Sequence, residues 1–459
     1  YKELKNIAPN LLGENLPSEF EKIGQFDVKG KVNIAPSKVK AILTLKSQIG
    51  TVVTDLEINN GDEIETASYK GDIQFVKFNI GSFLNNPIIG NVSLKGIVKG
   101  SGFKLGKMNT KFVGAVSELN INDYSYHNII ANGQYQNNKF DGSLVIDDTN
   151  LKMKLNGLVD LSTEIHKFDF KSNISYLNLK ETNLFTRDTT AIVKGVIALD
   201  IAGNTFDDIT GIANFKNVRY TNQIEEHRFE EFTLTSSLKD SIKTIDVASK
   251  DITQGSIKGK FSFSELPRVA QNALGSIYTN YKPYKVEPKQ YLDFNFIVYN
   301  QIINVFFPKV FIDDKTKIKG KINADKELFR LSLNSPRIDA FGTEVKDLSF
   351  RTDNKNKLYN TSLTADEVKT AYYNISKLNL LNRTENDTLY FKSIFKGGNK
   401  KNEDFNLDFF YTFNSEGKSV LGFEKSSFIF KENNWKINPD KKNTDKITFD
   451  LKTNEFNFS

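Results

Sequence analysis

Three histidines, His127, His166 and His227, are all the chain offers for imidazole chemistry. No two are close in sequence, and none has the spacing of a metal-ligand pair, so all three are expected at the surface or at strand edges. There is no cysteine, which excludes thiol nucleophiles, thiolate metal sites and disulfides. No serine sits in a nucleophile elbow. Gly106-Lys107 lacks the spacing of a phosphate-binding loop and any following helix. Three acidic pairs remain: Asp147-Asp148, Asp207-Asp208 and Asp313-Asp314. Each falls where the chain reverses, and aspartate favours turns because its carboxylate accepts hydrogen bonds from nearby amides. They are expected as turn residues rather than as calcium ligands or an acid–base pair. No catalytic residue, metal site or cofactor is expected, and the chain is not expected to be an enzyme.

The informative pattern lies in the elements. Across 151–161, Leu151, Met153, Leu155, Val159 and Leu161 fall on one side, with Gly157 in step. Lys152, Lys154, Asn156 and Asp160 fall on the other, and Leu158 is the exception. Side chains alternate across a strand, so this reads as a strand with one oily and one wet face. The same design recurs from end to end, with short polar turns between, which implies an antiparallel arrangement. Phe405, Leu407, Phe409, Tyr411 and Phe413 form the most apolar strand face. The run 302–307 is also expected as a strand. One convincing helix interrupts the series at 265–278. Leu266, Val269, Ala273, Leu274 and Ile277 follow helical spacing, Ser264 is placed to cap it and Pro267 sits in its tolerant first turn. The implied organisation is a strand segment over 1–264, a helix and connection over 265–290, and a second strand segment over 291–459.

The chain has 459 residues, 39% hydrophobic and 26% charged, which is ample to bury apolar surface. Net charge is only +6, with both signs mixed throughout, against the clustered basic surface of a nucleic-acid binder. No apolar run reaches the 18 or so residues of a membrane-spanning helix. The chain opens on Tyr1 and stops within an alternating stretch, so it is expected to be an internal part of a longer protein. From pattern alone, the oily faces either close into separate cores or line a continuous apolar trough. A large outer-membrane β-barrel also uses amphipathic strands of this spacing.

Several short elements recur in a characteristic order. They are Tyr69-Lys70-Gly71, Phe78-Asn79-Ile80-Gly81, Gly90-Asn91-Val92-Ser93-Leu94 and Gly100-Ser101-Gly102. Tyr124-Ser125-Tyr126, Gly133, Phe140-Asp141-Gly142, Asp147-Asp148-Thr149-Asn150-Leu151 and Gly157-Leu158-Val159-Asp160 follow. Gly255-Ser256-Ile257-Lys258-Gly259-Lys260-Phe261, the helix after Ser264, Ile318-Lys319-Gly320 and 427–435 complete the series. Across essentially its whole length the chain resembles the TamB family in its Bacteroidota form. These are AsmA-like, bridge-type lipid-transport proteins of the translocation and assembly module. Thr149 departs from the family's proline, which touches a turn only.

The resemblance implies an all-β, elongated β-taco: a U-shaped, mostly antiparallel sheet with an apolar groove. At about 4.8 Å per strand, some 30 strands would make a trough on the order of 140 Å. It implies a periplasmic protein held at the inner membrane by an N-terminal helix and joined through its C-terminal region to an Omp85-type barrel. Phospholipid acyl chains would be the cargo, lying against Leu151, Met153, Leu155, Val159, Leu161 and the 405–413 stripe. Support of outer-membrane protein insertion, or a chaperone-like scaffold for nascent barrel strands without lipid transport, are the other functions implied. Whether the helix lies in the groove or braces it from outside stays open at this stage.

Overall fold

The computed structural model describes residues 22–60, 65–103, 107–277, 281–442, 446–450 and 455–458. The fold is all-β and antiparallel. The chain divides into two compact units, Tyr1–Glu231 and Phe232–Ser459.

In the first unit the strands are β1 (Phe26–Ala35), β2 (Lys38–Ser47), β3 (Gly50–Asn59), β4 (Ser68–Asn79), β5 (Ile89–Ser101), β6 (Asn109–Ile121), β7 (Tyr124–Gln136), β8 (Lys139–Asp147), β9 (Leu151–Asp160), β10 (Lys167–Asn178), β11 (Ile192–Ala202) and β12 (Thr210–Thr221). Each pairs antiparallel with the next in sequence. Among the described residues β1 pairs with β2 alone, so this sheet is open rather than closed into a barrel. The turns show why asparagine and aspartate punctuate the sequence. Asn122-Asp123 and Asn137-Asn138 have positive φ at both positions. Two-residue hairpins require that geometry, and these side chains tolerate it best after glycine.

Register shifts fall at matching heights on several strands. They lie between Phe75 and Phe78 on β4, beside Leu94 on β5, and after Ile174 on β10. Lys77 and Asn128 carry positive φ at the same level of β4 and β7. A bulge bends its strand and raises the local twist, so aligned bulges fold this sheet along one line. Beyond the line a short helix, α1 (Ile80–Leu84), turns inward, capped by the Asn79 side chain on the Ser82 amide (2.8 Å). Ile80 and Phe83 pack on a core of Phe78, Val92, Val116, Tyr126, Ile129, Ile146 and Leu151.

In the second unit the strands are β13 (Glu226–Lys239), in which the division falls, β14 (Ile242–Ser249), β15 (Thr253–Lys260), β16 (Tyr291–Val298), β17 (Val310–Ile312), β18 (Thr316–Asn323), β19 (Leu328–Ala340), β20 (Thr343–Asp353), β21 (Thr361–Lys369), β22 (Asn374–Glu385), β23 (Thr388–Gly397), β24 (Glu403–Phe413), β25 (Ser419–Phe423), β26 (Ser426–Phe430), β27 (Asn433–Ile437), β28 (Lys446–Asp450) and β29 (Glu455–Phe458). Pairing again follows the chain, except that β16 pairs with β18, β17 and β18 both pair with β19, β24 pairs with both β25 and β26, and β25 pairs with β28. Pro336 sits within β19, opposite Asp347 with its positive φ. Proline has no N–H to give a ladder, so it is tolerated at this irregularity.

The long helix is α2 (Leu266–Gly275), inside the expected span; Tyr278 lies outside the described residues. Its cap differs from expectation. Glu265 is the N-cap residue and makes no side-chain capping bond, while the Ser264 hydroxyl meets the Ser262 hydroxyl at 2.9 Å. The Glu265 carboxylate instead accepts from Gln290 Nε2 and the Glu287 amide, which ties the helix start to the returning chain. The run expected as a strand at 302–307 is helical, α3 (Asn300–Phe306), ended by Pro308. Ile302, Ile303, Val305 and Phe306 fit one side of a helix as well as they fit a strand, and so short an apolar run carries no period of its own.

Candidate functional site

Residues directly opposite one another in paired strands share a face, so the registers show what crosses the sheet. In the first unit one transverse row runs Val28, Leu45, Val52, Phe75, Leu94, Val116, Ile129, Ile146, Met153 and Ile174, one residue from each of β1 to β10. Not one of these positions is polar. Nine inter-strand spacings of about 4.8 Å make the row about 43 Å long. The next row on this face contains Leu43, Ile73, Ala131, Leu144, Leu155 and Ile197. A third places Gly133, Gly142 and Gly157 in line. A Cβ on Gly133 would stand 2.5 Å from the Phe140 ring, and one on Gly157 would stand 2.4 Å from the Phe170 backbone. Glycine leaves room for the Phe140 ring at position 133 and for the close approach of β10 at position 157.

The positions singled out in 151–161 therefore do not all sit alike. Leu151 is buried in the core, Met153 lies in the first row and Leu155 faces Leu144. Val159 stands between Phe140 and Phe168. Leu161 follows the end of β9 and is 46% exposed.

The second unit repeats the design. Leu234, Val247, Gly255, Phe296, Ile318, Leu333, Phe350, Leu363, Leu380, Ser393 and Leu407 form one row across β13 to β16 and β18 to β24. All five residues of the 405–413 stripe lie on this face. Phe405 stacks between Phe395 (4.5 Å between centroids, 10°) and Phe428 (5.5 Å, 5°), and Phe428 stacks on Trp435 (6.0 Å, 6°). Phe409 stacks on Phe391 at 4.9 Å, and Tyr411 packs edge-on to Phe413 at 5.4 Å. The stripe is half-buried throughout.

Helix α2 lies on this same face. Val269 and Ala273 are buried with Phe261, Leu292, Ile322 and Phe329, and Leu266 and Ile277 pack at the margin. Leu274 is 48% exposed. Polar bonds fix the helix at its far end: Asn354 Nδ2 donates to Ser276 Oγ (2.9 Å) and Thr384 Oγ1 donates to the Ile277 carbonyl (3.2 Å).

The titratable groups serve structure at strand ends. Asp148 is only 2% exposed and accepts from Tyr124 Oη (2.6 Å), the Asn150 amide (2.8 Å) and the His127 amide (3.0 Å). Burial opposes its charge, but these bonds together hold its carboxyl below the usual range. Burial, with the Asp148 carboxylate beside it, pushes the Tyr124 phenol up to about 12. Asp188 takes a fork from Arg187 (3.0 and 2.8 Å) and a bond from Tyr220. His127 is exposed as expected, and His166 is half-buried just before β10. His227 is not: it is buried, stacked on Tyr220 and 3.3 Å from Asn222 Nδ2. Its position two residues into β13, beside a tight turn at Asn222, encloses it. Among the described residues no group of three His, Asp or Glu stands ready to hold a metal.

Searches against protein families, curated proteins and solved structures return no match to this chain.

Proposed function

We propose that this chain is a stretch of a hydrophobic bridge that carries phospholipid acyl chains across an aqueous space. One observation supports it above the others: within each unit ten or more paired strands each place a residue in one continuous, almost wholly apolar row running across the sheet. A compact core needs apolar clusters; it does not need rows that keep register over ten strands. An acyl chain laid along such a row leaves water, which favours it by about 0.8 kcal/mol per methylene buried. The opposite face, with Lys29, Lys31, Lys95, Lys154 and Lys171, suits solvent.

The likeness to the TamB family extends this reading to a periplasmic bridge, held at the inner membrane and meeting an Omp85-type outer-membrane barrel, that also aids insertion of outer-membrane proteins. The test is native mass spectrometry and lipid extraction on the chain purified without detergent. Co-purifying phospholipid that is lost in a folded Phe409→Glu variant is the expected result. A folded, lipid-free chain that instead binds unfolded barrel strands would replace the bridge with the scaffold reading.

A further inference from the structure

The charged face of the first unit is not charged throughout. Ile97 and Val113 stand directly opposite one another on β5 and β6. Ile130 and Val145 stand opposite one another on β7 and β8, one row along. All four are on the face away from the apolar rows, and they are 60%, 44%, 60% and 39% exposed. Ala115 joins the two pairs, since it lies opposite Ile130 and two residues from Val113. The band crosses four strands, about 14 Å at the usual strand spacing.

Lysines fence it. Lys95 and Lys154 end the row that holds Ala115, Ile130 and Val145, and Lys99 and Lys111 border Ile97 and Val113. Some lysines of this unit are held by carboxylates: Lys38 and Lys70 by Glu57, Lys139 by Asp160, and Lys152 by Asp147. Among the described residues none of the four fence lysines makes an ion pair.

We propose that this band is the docking surface for an acidic amphipathic helix of a partner protein. The apolar width of about 14 Å matches a stripe on roughly nine helical residues, at 1.5 Å per residue. Glutamates or aspartates flanking that stripe would meet the four lysines. Short β-branched side chains level with a sheet offer nothing that inserts into a bilayer, where protruding aromatic residues do that work, so the surface fits a protein rather than a membrane. It lies on the opposite face from the proposed lipid rows, and its test is independent of them.

The experiment is fluorescence anisotropy with the full chain and a labelled synthetic helical peptide bearing a leucine stripe flanked by glutamates. A second peptide carries lysine at every glutamate, and phosphatidylglycerol vesicles form the third probe. The acidic peptide is expected to bind, more weakly at high salt, and the basic one not to. Ile97→Thr with Ile130→Thr, which keeps β-branched side chains on exposed positions and so spares the fold, should weaken binding at least about tenfold. Lys95→Glu with Lys154→Glu should transfer binding to the basic peptide. Equal binding of both peptides, full affinity in the threonine variant, or binding to the vesicles in place of the peptide would each overturn the proposal.

Discussion

Asp160 shows how much a single side chain does at a strand end. It closes β9 opposite Lys139 and Lys167. The Ser162 hydroxyl (2.5 Å), Lys139 (2.9 Å) and the Ser162 amide (2.9 Å) hold its carboxyl down to about 2. Its unfolded value is about 3.9. A depressed carboxylate contributes stability that is present above its unfolded value and fades as pH falls through its folded one. Asp160→Asn should therefore lower the urea midpoint at pH 7, and the difference from the parent should shrink steadily between about pH 4 and pH 2. An unchanged difference across that range would mean that shape, not charge, is what the residue supplies. Ser172 is the converse case. It is buried on the apolar face between Leu155 and Ile197, and its hydroxyl finds no partner among the described residues. Removing a buried, unbonded hydroxyl relieves a desolvation cost of about 1 kcal/mol or more, so Ser172→Ala should raise the unfolding free energy by about 1 kcal/mol in a denaturant titration. Neither effect is visible in the sequence, where Ser172 reads as one more polar residue and Asp160 as an ordinary charge on the wet side. Residue types mark the turns; only the register shows which carboxylate is enclosed and which hydroxyl is stranded. His227 makes the same point, since its burial comes from the turn beside it and not from its neighbours in sequence.

At the scale of the element, helix α2 was legible and α3 was not, for a physical reason. Helix α2 spans 10 residues, long enough for a 3.6-residue period to separate Val269 and Ala273 from Arg268 and Gln271. Helix α3 has only seven residues, and its four apolar ones, Ile302, Ile303, Val305 and Phe306, are too few to separate a helical period from a strand's. What the period could not give was the cap or the side of the sheet that α2 occupies. Those depend on Glu265 reaching Gln290 and on Asn354 reaching Ser276, contacts 25 and 78 residues apart in sequence. Val269, 2% exposed beneath the helix, anchors it. Val269→Ala should cost about 2 kcal/mol through lost contact and a residual cavity. Because the helix is an addition to the strand face, the cost should appear locally. Amide exchange should speed up across 266–275 and stay unchanged in β18 and β19. Equal acceleration in those strands would make α2 an integral part of the core instead.

At the scale of the molecule, alternation in sequence was enough to read an all-β, antiparallel fold, because short polar turns leave one-faced strands no other way to pair. It could not align the faces from strand to strand. A slip of one residue in any hairpin would move every apolar side chain of that strand to the wet side, and the hairpin geometry at Asn122-Asp123 and Asn137-Asn138 is what prevents it. Alignment also decides what a charge at one position does. Leu144 lies in the apolar row opposite Leu155 and Ala131, while Lys171, on the other face, lies opposite Asn156 and Ala198. In the second unit Leu333 holds the equivalent place between Ile318 and Phe350. If the rows carry acyl chains, Leu144→Glu and Leu333→Glu should each lower the phospholipid retained per chain, and Lys171→Glu should leave it unchanged. Native mass spectra of the three folded variants, side by side with the parent, make the comparison. Loss in all three would place the lipid on general surface charge, and loss in none would leave the rows as packing alone; only face-dependent loss agrees with a conduit.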